Sequence, residues 1–227
     1  MASKRIDIKC PECGAVGSFE IWNSIDLEEN PPLEEKARSG SLFRYACSEC
    51  GIITKVAYPT LIHDSAHKRM LYLATDREMF ESIVRQYAYG GSSAAGGLLE
   101  GDYMVRAVRT VPELSELMRI IHAQLDDRVI ALMKLFVFQE VTDNNPDYEF
   151  DNLFFMDRDE SENEYFFELQ YHGETVGQIG FDRKAYDNMQ KMFSEAIEEH
   201  GKGTVVIDAR WAGEVFEDYG RKHPNES

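Results

Sequence analysis

The sequence predicts an α+β fold whose first third is organised by cysteines. Three observations carry this reading. All four cysteines fall in two copies of one cassette, "CPECG" at 10–14 and "CSECG" at 47–51, each beside strand-like chain. Apolar residues recur at helical spacing over 79–87 and again over 114–136. Three alternating segments then follow one another between 152 and 181, the pattern of a β-meander.

Each element follows from local chemistry. After the first cysteine pair, "GSFEIWNSID" sets Phe19 and Ile21 against Glu20 and Trp22 and reads as a strand. "NPPLEEKARSG" is a short helix: Pro31 and Pro32 suit its start, Glu34 and Glu35 its first turn, and Gly40 its end. "SLFRYAC" returns as a strand into the second pair, and "IITKVAYPTLI" leaves as another. "KRMLYLAT" is a further strand, and the capping-box pattern Thr75-Asp76-Arg77-Glu78 opens a helix whose Met79, Phe80, Ile83, Val84 and Tyr87 share a face. "GGSSAAGG" at 90–97 is a glycine-rich loop without the lysine of a phosphate-binding loop.

"DYMVRAVRTV" reads as a strand, and the helices "PELSELMRIIHAQL" and "DDRVIALMKLFVFQE" follow. Asp126 and Asp127 suit the positive end of the second helix. The acidic, proline-bearing "VTDNNPDYEFD" marks a junction, so the expected domains are 1–140 and 141–227. Beyond it "NLFFM", "EYFFELQY" and "ETVGQIGF" make the meander, with a hairpin turn at His172-Gly173. Asp182 caps a helix carrying Tyr186, Met189, Phe193 and Ile197 that stops at Gly201. "TVVIDARW" is expected as a last strand and "EDYGRKHPNES" as a frayed tail.

Composition bounds the function. A hydrophobic content of 43% and an aromatic content of 11% are those of a folded chain. No apolar run reaches the roughly 18 residues of a membrane helix, and the basic N-terminus lacks the apolar core of a signal peptide. The expected setting is therefore the cytoplasm, without membrane attachment, where thiols stay reduced. Of a net charge of −17, residues 131–227 carry −13, with nine Lys and Arg against twenty-two Asp and Glu. That half would repel nucleic acid and favours a protein partner with a basic surface. Residues 1–70 are nearly neutral, and Lys4, Arg5, Lys9, Arg44 and Lys55 near the cysteines keep nucleic-acid binding open there.

Cys10, Cys13, Cys47 and Cys50 carry the clearest signal. Two residues between cysteines let one tight turn aim both thiolates at a point, and Gly14 and Gly51 follow where positive φ favours glycine. Four soft sulfurs from two such turns suit one tetrahedral zinc ion. Two disulfides would need an oxidising compartment, and a redox Cys-x-x-Cys is more typically single and opens a helix. Four cysteines also close the coordination sphere, so the expected ion is structural. The expected fold is then α+β with an N-terminal zinc ribbon bearing a helical insertion, strands plus a helix pair, and a C-terminal β-meander and helix unit.

At these residues the chain resembles the CpXC domain proteins of bacteria. The resemblance rests on "CPECGAVGSFEIWNSID", on "LEEKARSGSLFRYACSECG" leading into "YPTLIHD", and on "LDDRVIALMK", over about residues 6 to 135. Ser48 stands where the second pair would read Cys-Pro, which leaves the ligands untouched. The resemblance implies a zinc-binding domain and assigns it no reaction. It also implies a His-Asp at His63 and Asp64, which makes these two the functional candidates outside the cysteines.

Other patterns have plainer explanations. His63 and His67 stand four apart, but no third ligand is identifiable and a strand precedes them. Asp126-Asp127-Arg128 is explained by capping and a local ion pair. Asp157, Asp159, Ser161, Asn163 and Glu168 fall at calcium-loop spacings, yet Glu162 sits where that loop needs glycine. No G-x-S-x-G elbow is present. The leading expectation is a zinc-stabilised protein-interaction module. The alternatives are a nucleic-acid-binding ribbon and an enzyme with its site near His63 and Asp64.

Overall fold

The structure, a computed structural model, describes residues 2–88, 103–159 and 164–224. The chain forms two compact units, Met1–Ser115 and Glu116–Ser227. Packing thus divides the chain ahead of the acidic stretch at 141–151 that composition marks. The glycine-rich segment 90–97, Ser161 and Asn163 lie outside the described residues.

In the first unit, β1 (Ala2–Lys9) and β2 (Val16–Asp26) form an antiparallel hairpin, with Arg5 opposite Glu20 and Lys9 opposite Val16. Helix α1 (Pro32–Arg38) starts at prolines and carries Glu34 and Glu35 in its first turn. The segment expected as a strand from Ser41 instead begins with a 3₁₀ turn at Ser41–Phe43, entered through Gly40 at φ 70°. That turn buries Leu42 and Phe43, which an extended chain would have pointed to opposite sides. Strands β3 (Arg44–Ala46) and β4 (Ile53–Lys55) form a second, shorter hairpin.

The chain then enters β5 (Thr60–Asp64), parallel to β2, and turns into β6 (Arg69–Leu73). Helix α2 (Arg77–Ala88) is capped by Asp76, which accepts from Met79 N at 2.8 Å and so takes, one residue on, the role that the Thr75 pattern suggested. Strand β7 (Met104–Val108) completes a five-stranded sheet of order β1-β2-β5-β6-β7. Ile25, Ile62 and Leu71 lie in register across β2, β5 and β6, each at most 2% exposed, and form the apolar row of this sheet. Helix α3 (Val111–His122) opens with a capping box: Thr110 Oγ1 accepts from Glu113 N, and the Glu113 carboxylate accepts from Thr110 N at 3.1 Å.

The second unit begins within α3 and continues into α4 (Asp127–Asn144). Asp126 caps α4 through Arg128 N at 2.9 Å and pairs with the Arg128 guanidinium at 2.7 Å, as the local reading of these residues requires. Strands β8 (Asn152–Asp159), β9 (Glu164–Tyr171) and β10 (Glu174–Asp182) form the antiparallel meander. Its β9–β10 turn has both His172 and Gly173 at positive φ, the primed turn that matches strand twist. Asp157 and Asp159 belong to β8 and Glu168 to β9, so this acidic stretch is hairpin rather than a loop ahead of a helix.

Three expectations for the end of the chain are corrected. The helix from Asp182 to Gly201 is two helices, α5 (Arg183–Met192) and α6 (Ser194–Gly201). The break is at Phe193, which is 3% exposed and packs on Phe216 and Tyr219 at ring distances of 4.7 and 4.5 Å. "TVVIDARW" makes no strand: Val205 is buried and Ile207 packs on the core without strand pairing, and Asp208 caps a helix through Trp211 N. That helix, α7 (Ala209–Lys222), occupies most of the expected tail. It buries Trp211, Ala212 and Val215 on one face, and Lys222 pairs with Glu199 and Asp218 on the other. The core they join is centred on Val129, Leu132, Phe155 and Phe167, all at 0% exposure.

Candidate metal centre

Both cysteine pairs sit at hairpin tips of one local design. Lys9 opposite Val16 closes the first tip, and Ala46 opposite Ile53 closes the second. In the first, Gly14 N donates to Cys10 O at 3.0 Å and Cys10 N to Ala15 O at 2.8 Å. In the second, Gly51 N donates to Cys47 O and Cys47 N to Ile52 O, both at 2.9 Å. Gly14 and Gly51 share a φ of 73°, the left-handed conformation in which a side chain would be strained. The sequence repeat is therefore a repeat of backbone geometry.

These tips bring the four sulfurs together from two distant parts of the chain. Cys10 Sγ lies 3.6 Å from Cys50 Sγ, and Cys13 Sγ lies 3.6 Å from Cys47 Sγ. All four fall within 4.8 Å of one another, and all are free thiols. A tetrahedron of sulfurs each about 2.3 Å from a central ion has edges of about 3.8 Å. The donor set fits a metal ion. Each hairpin supplies one buried and one exposed cysteine: Cys10 and Cys47 lie inside, Cys13 and Cys50 at the surface.

The electrostatics ask for a cation. The backbone N–H groups of Cys50 and Glu49 point at the Cys47 sulfur and lower its pKa to about 6. At Cys50 the Ile52 amide pulls down, but loss of water and the crowding sulfurs of Cys13, Cys10 and Cys47 push the thiol up to about 12. Cys13 likewise feels a downward pull from the Ala15 amide and from Cys50, outweighed by burial and by Cys47 and Cys10. Cys13 and Cys50 thus resist ionising beside the neighbouring sulfurs, and a bound cation removes that conflict. Among the described residues no other group of three or more His, Cys, Asp or Glu is placed to hold a metal.

Beneath the sulfurs lies a small apolar floor: Tyr45 with Cys10 and Cys47, packed by Ile8, Ala15, Phe19 and Val56. Phe19 meets Tyr45 edge-on at 6.2 Å. Burial, and then the nearby charge of Cys47 and Cys10, push the Tyr45 phenol above its ordinary pKa. Gly17 makes room for that ring, since a β-carbon there would overlap the hydroxyl and approach Cζ to 2.9 Å. Gly17→Ala is expected to cost about 1–3 kcal/mol, the usual penalty for forcing atoms into packed space. A thermal melt of the metal-loaded protein at a fixed free zinc concentration checks this, with a lower midpoint than wild type expected.

His63 and Asp64 are brought to one end of the five-stranded sheet but point into different contacts. His63 Nδ1 lies 3.1 Å from Asp26 Oδ2, and its Nε2 lies 3.5 Å from the Tyr103 hydroxyl, with the two rings stacked. Asp26 sits below its ordinary pKa: burial pushes it up, but N–H donation from Glu29 and the His63 contact outweigh this. Asp64, 8% exposed, accepts from His67 N at 3.1 Å and pairs with His67 Nδ1 and Arg69. It thereby fixes the β5–β6 turn, in which Lys68 has positive φ. Asp26, at the end of β2, and Tyr103, just ahead of β7, were not legible as partners of His63, because only the parallel β2–β5 pairing and the entry of β7 place them there.

A CpXC protein family model matches residues 8–134, more than half of the chain, and the match contains both cysteine tips, His63 and Asp64. No curated protein and no solved structure matches the chain. No helix among the described residues is long and apolar enough to cross a membrane. The paired cassettes, the single cluster of four sulfurs and the length of the match agree: the chain belongs to the CpXC family.

Proposed function

We propose that Cys10, Cys13, Cys47 and Cys50 hold one zinc ion that folds the two hairpins as a zinc ribbon, and that the chain acts in the cytoplasm as a protein-interaction module. The observation that carries this reading is the closed donor set, in which four sulfurs from two matching tips lie within 4.8 Å and face one another. A catalytic zinc keeps a coordination position for water or substrate, and four thiolates leave none. Soft sulfur donors in tetrahedral array favour zinc or iron, and zinc suits a site whose role is to fold the chain. The functional candidates outside the cysteines support the same reading, since Asp64 is committed to a turn and His63 to Asp26 and Tyr103.

Native mass spectrometry of the freshly purified chain is expected to show one zinc per molecule, and none in Cys47→Ser. Capture from a lysate by wild type is expected to retain a protein partner, and Cys47→Ser in parallel reports whether that contact depends on the folded ribbon. Loss of zinc with capture unchanged would place the partner's contact outside the ribbon.

A further inference from the structure

The second unit carries an apolar patch that its own fold leaves uncovered. Phe138 on α4, Tyr148 in the following loop and Val176 on β10 are 41%, 39% and 42% exposed. Phe138 packs on Phe150 at 4.7 Å between ring centres, Phe150 lies 6.2 Å from the Tyr148 ring, and Tyr148 reaches the Val176 backbone, its Oη donating to Val176 O at 2.7 Å. Single exposed apolar residues are ordinary, but a connected group drawn from three segments marks a surface that meets something.

The patch is also held rigid. Tyr148 is tied at its backbone through N–H donation to Asn145 O at 2.9 Å and at its tip through the bond to Val176 O. Gly177 supplies the space, because a β-carbon there would overlap the Tyr148 hydroxyl. An aromatic ring already fixed in place gives up little freedom on binding, the property of an interface anchor.

Charge selects the occupant. From Lys134 to Arg158 the intervening chain has no lysine or arginine, while Glu140, Asp143, Asp147, Glu149 and Asp151 are exposed along it. His172, a cation-capable side chain, lies 3.7 Å from Asp151. A second copy of the chain would bring the same negative rim and be repelled, as would nucleic acid. A guanidinium or ammonium group would instead pair with the rim and rest on the aromatic faces.

We infer that Phe138, Tyr148 and Val176 form the docking surface for a basic, amphipathic segment of a protein partner, with arginine or lysine meeting the acidic rim and aliphatic side chains covering the patch. This rests on the reading of the chain as an interaction module, though not on its metal.

The test uses the full, metal-loaded chain and two fluorescent peptides of about five helical turns. One places arginine and leucine on opposite faces; the other replaces every arginine with glutamate. Wild type is expected to bind the arginine peptide saturably and the glutamate peptide not at all. Phe138→Ser and, as a variant whose exposed site keeps the fold, Val176→Ser are each expected to weaken binding by about tenfold, the effect of losing an interface anchor. Equal affinity in Val176→Ser, comparable binding of the glutamate peptide, or no binding of the arginine peptide would each overturn the inference. If wild type retains a lysate partner that Val176→Ser retains equally, this surface is excluded while the interaction reading stands. If wild type retains neither peptide nor partner, both fall.

Discussion

Cys47→Ser is expected to release the metal and unfold both hairpin tips, with hydrogen-exchange protection lost over residues 8–17 and 44–55. The size of the effect follows from how little else holds this region. Its apolar floor is Tyr45 with the cysteines themselves, bordered by Ile8, Ala15, Phe19 and Val56, and the β3–β4 hairpin has three residues in each strand. A hairpin that short is not stable in water by itself. A structural tetrathiolate site contributes on the order of 10 kcal/mol of folding free energy, more than so small a core can replace. Chelation of wild type at neutral pH should produce the same loss of protection. Near-wild-type exchange over these residues in the variant would show that packing alone folds the tips.

Phe167→Ala is expected to destabilise the second unit by about 3–5 kcal/mol, the cost of emptying a buried aromatic site. Phe167 is fully buried at the centre of the meander, stacked on Phe181 at 4.8 Å and edge-on to Phe155 at 6.4 Å. Neighbours on both sides are themselves rings in packed positions, so the cavity cannot collapse cheaply. Denaturant unfolding followed by the fluorescence of Trp211, buried in the same core, measures it. A change below about 1 kcal/mol would mean that the sheet and the helices α4 and α7 are not packed as described.

Much of this was legible in the sequence because it is written in local chemistry. The cysteine cassettes specify turns within five residues, and the structure repeats the same bonds in both. Asp126, Asp182 and the His172-Gly173 turn announce helix starts and a hairpin through contacts with near neighbours. What failed was decided by distant packing. Phe193 breaks a helix because its ring reaches Phe216 and Tyr219, and "TVVIDARW" alternates like a strand but has no partner strand to pair with. The tail became α7 because Trp211, Ala212 and Val215 find a core supplied by α4, β8 and β9. His63 was singled out by resemblance, but its partners Asp26 and Tyr103 depend on sheet order that no local pattern encodes.

The central claim is that four cysteine sulfurs surround one metal ion. X-ray absorption at the zinc edge of the purified, untagged chain tests it most directly. A first shell of four sulfurs at about 2.3 Å is the predicted result. A shell containing nitrogen or oxygen, or protein that carries no zinc and melts unchanged with chelator, would contradict it.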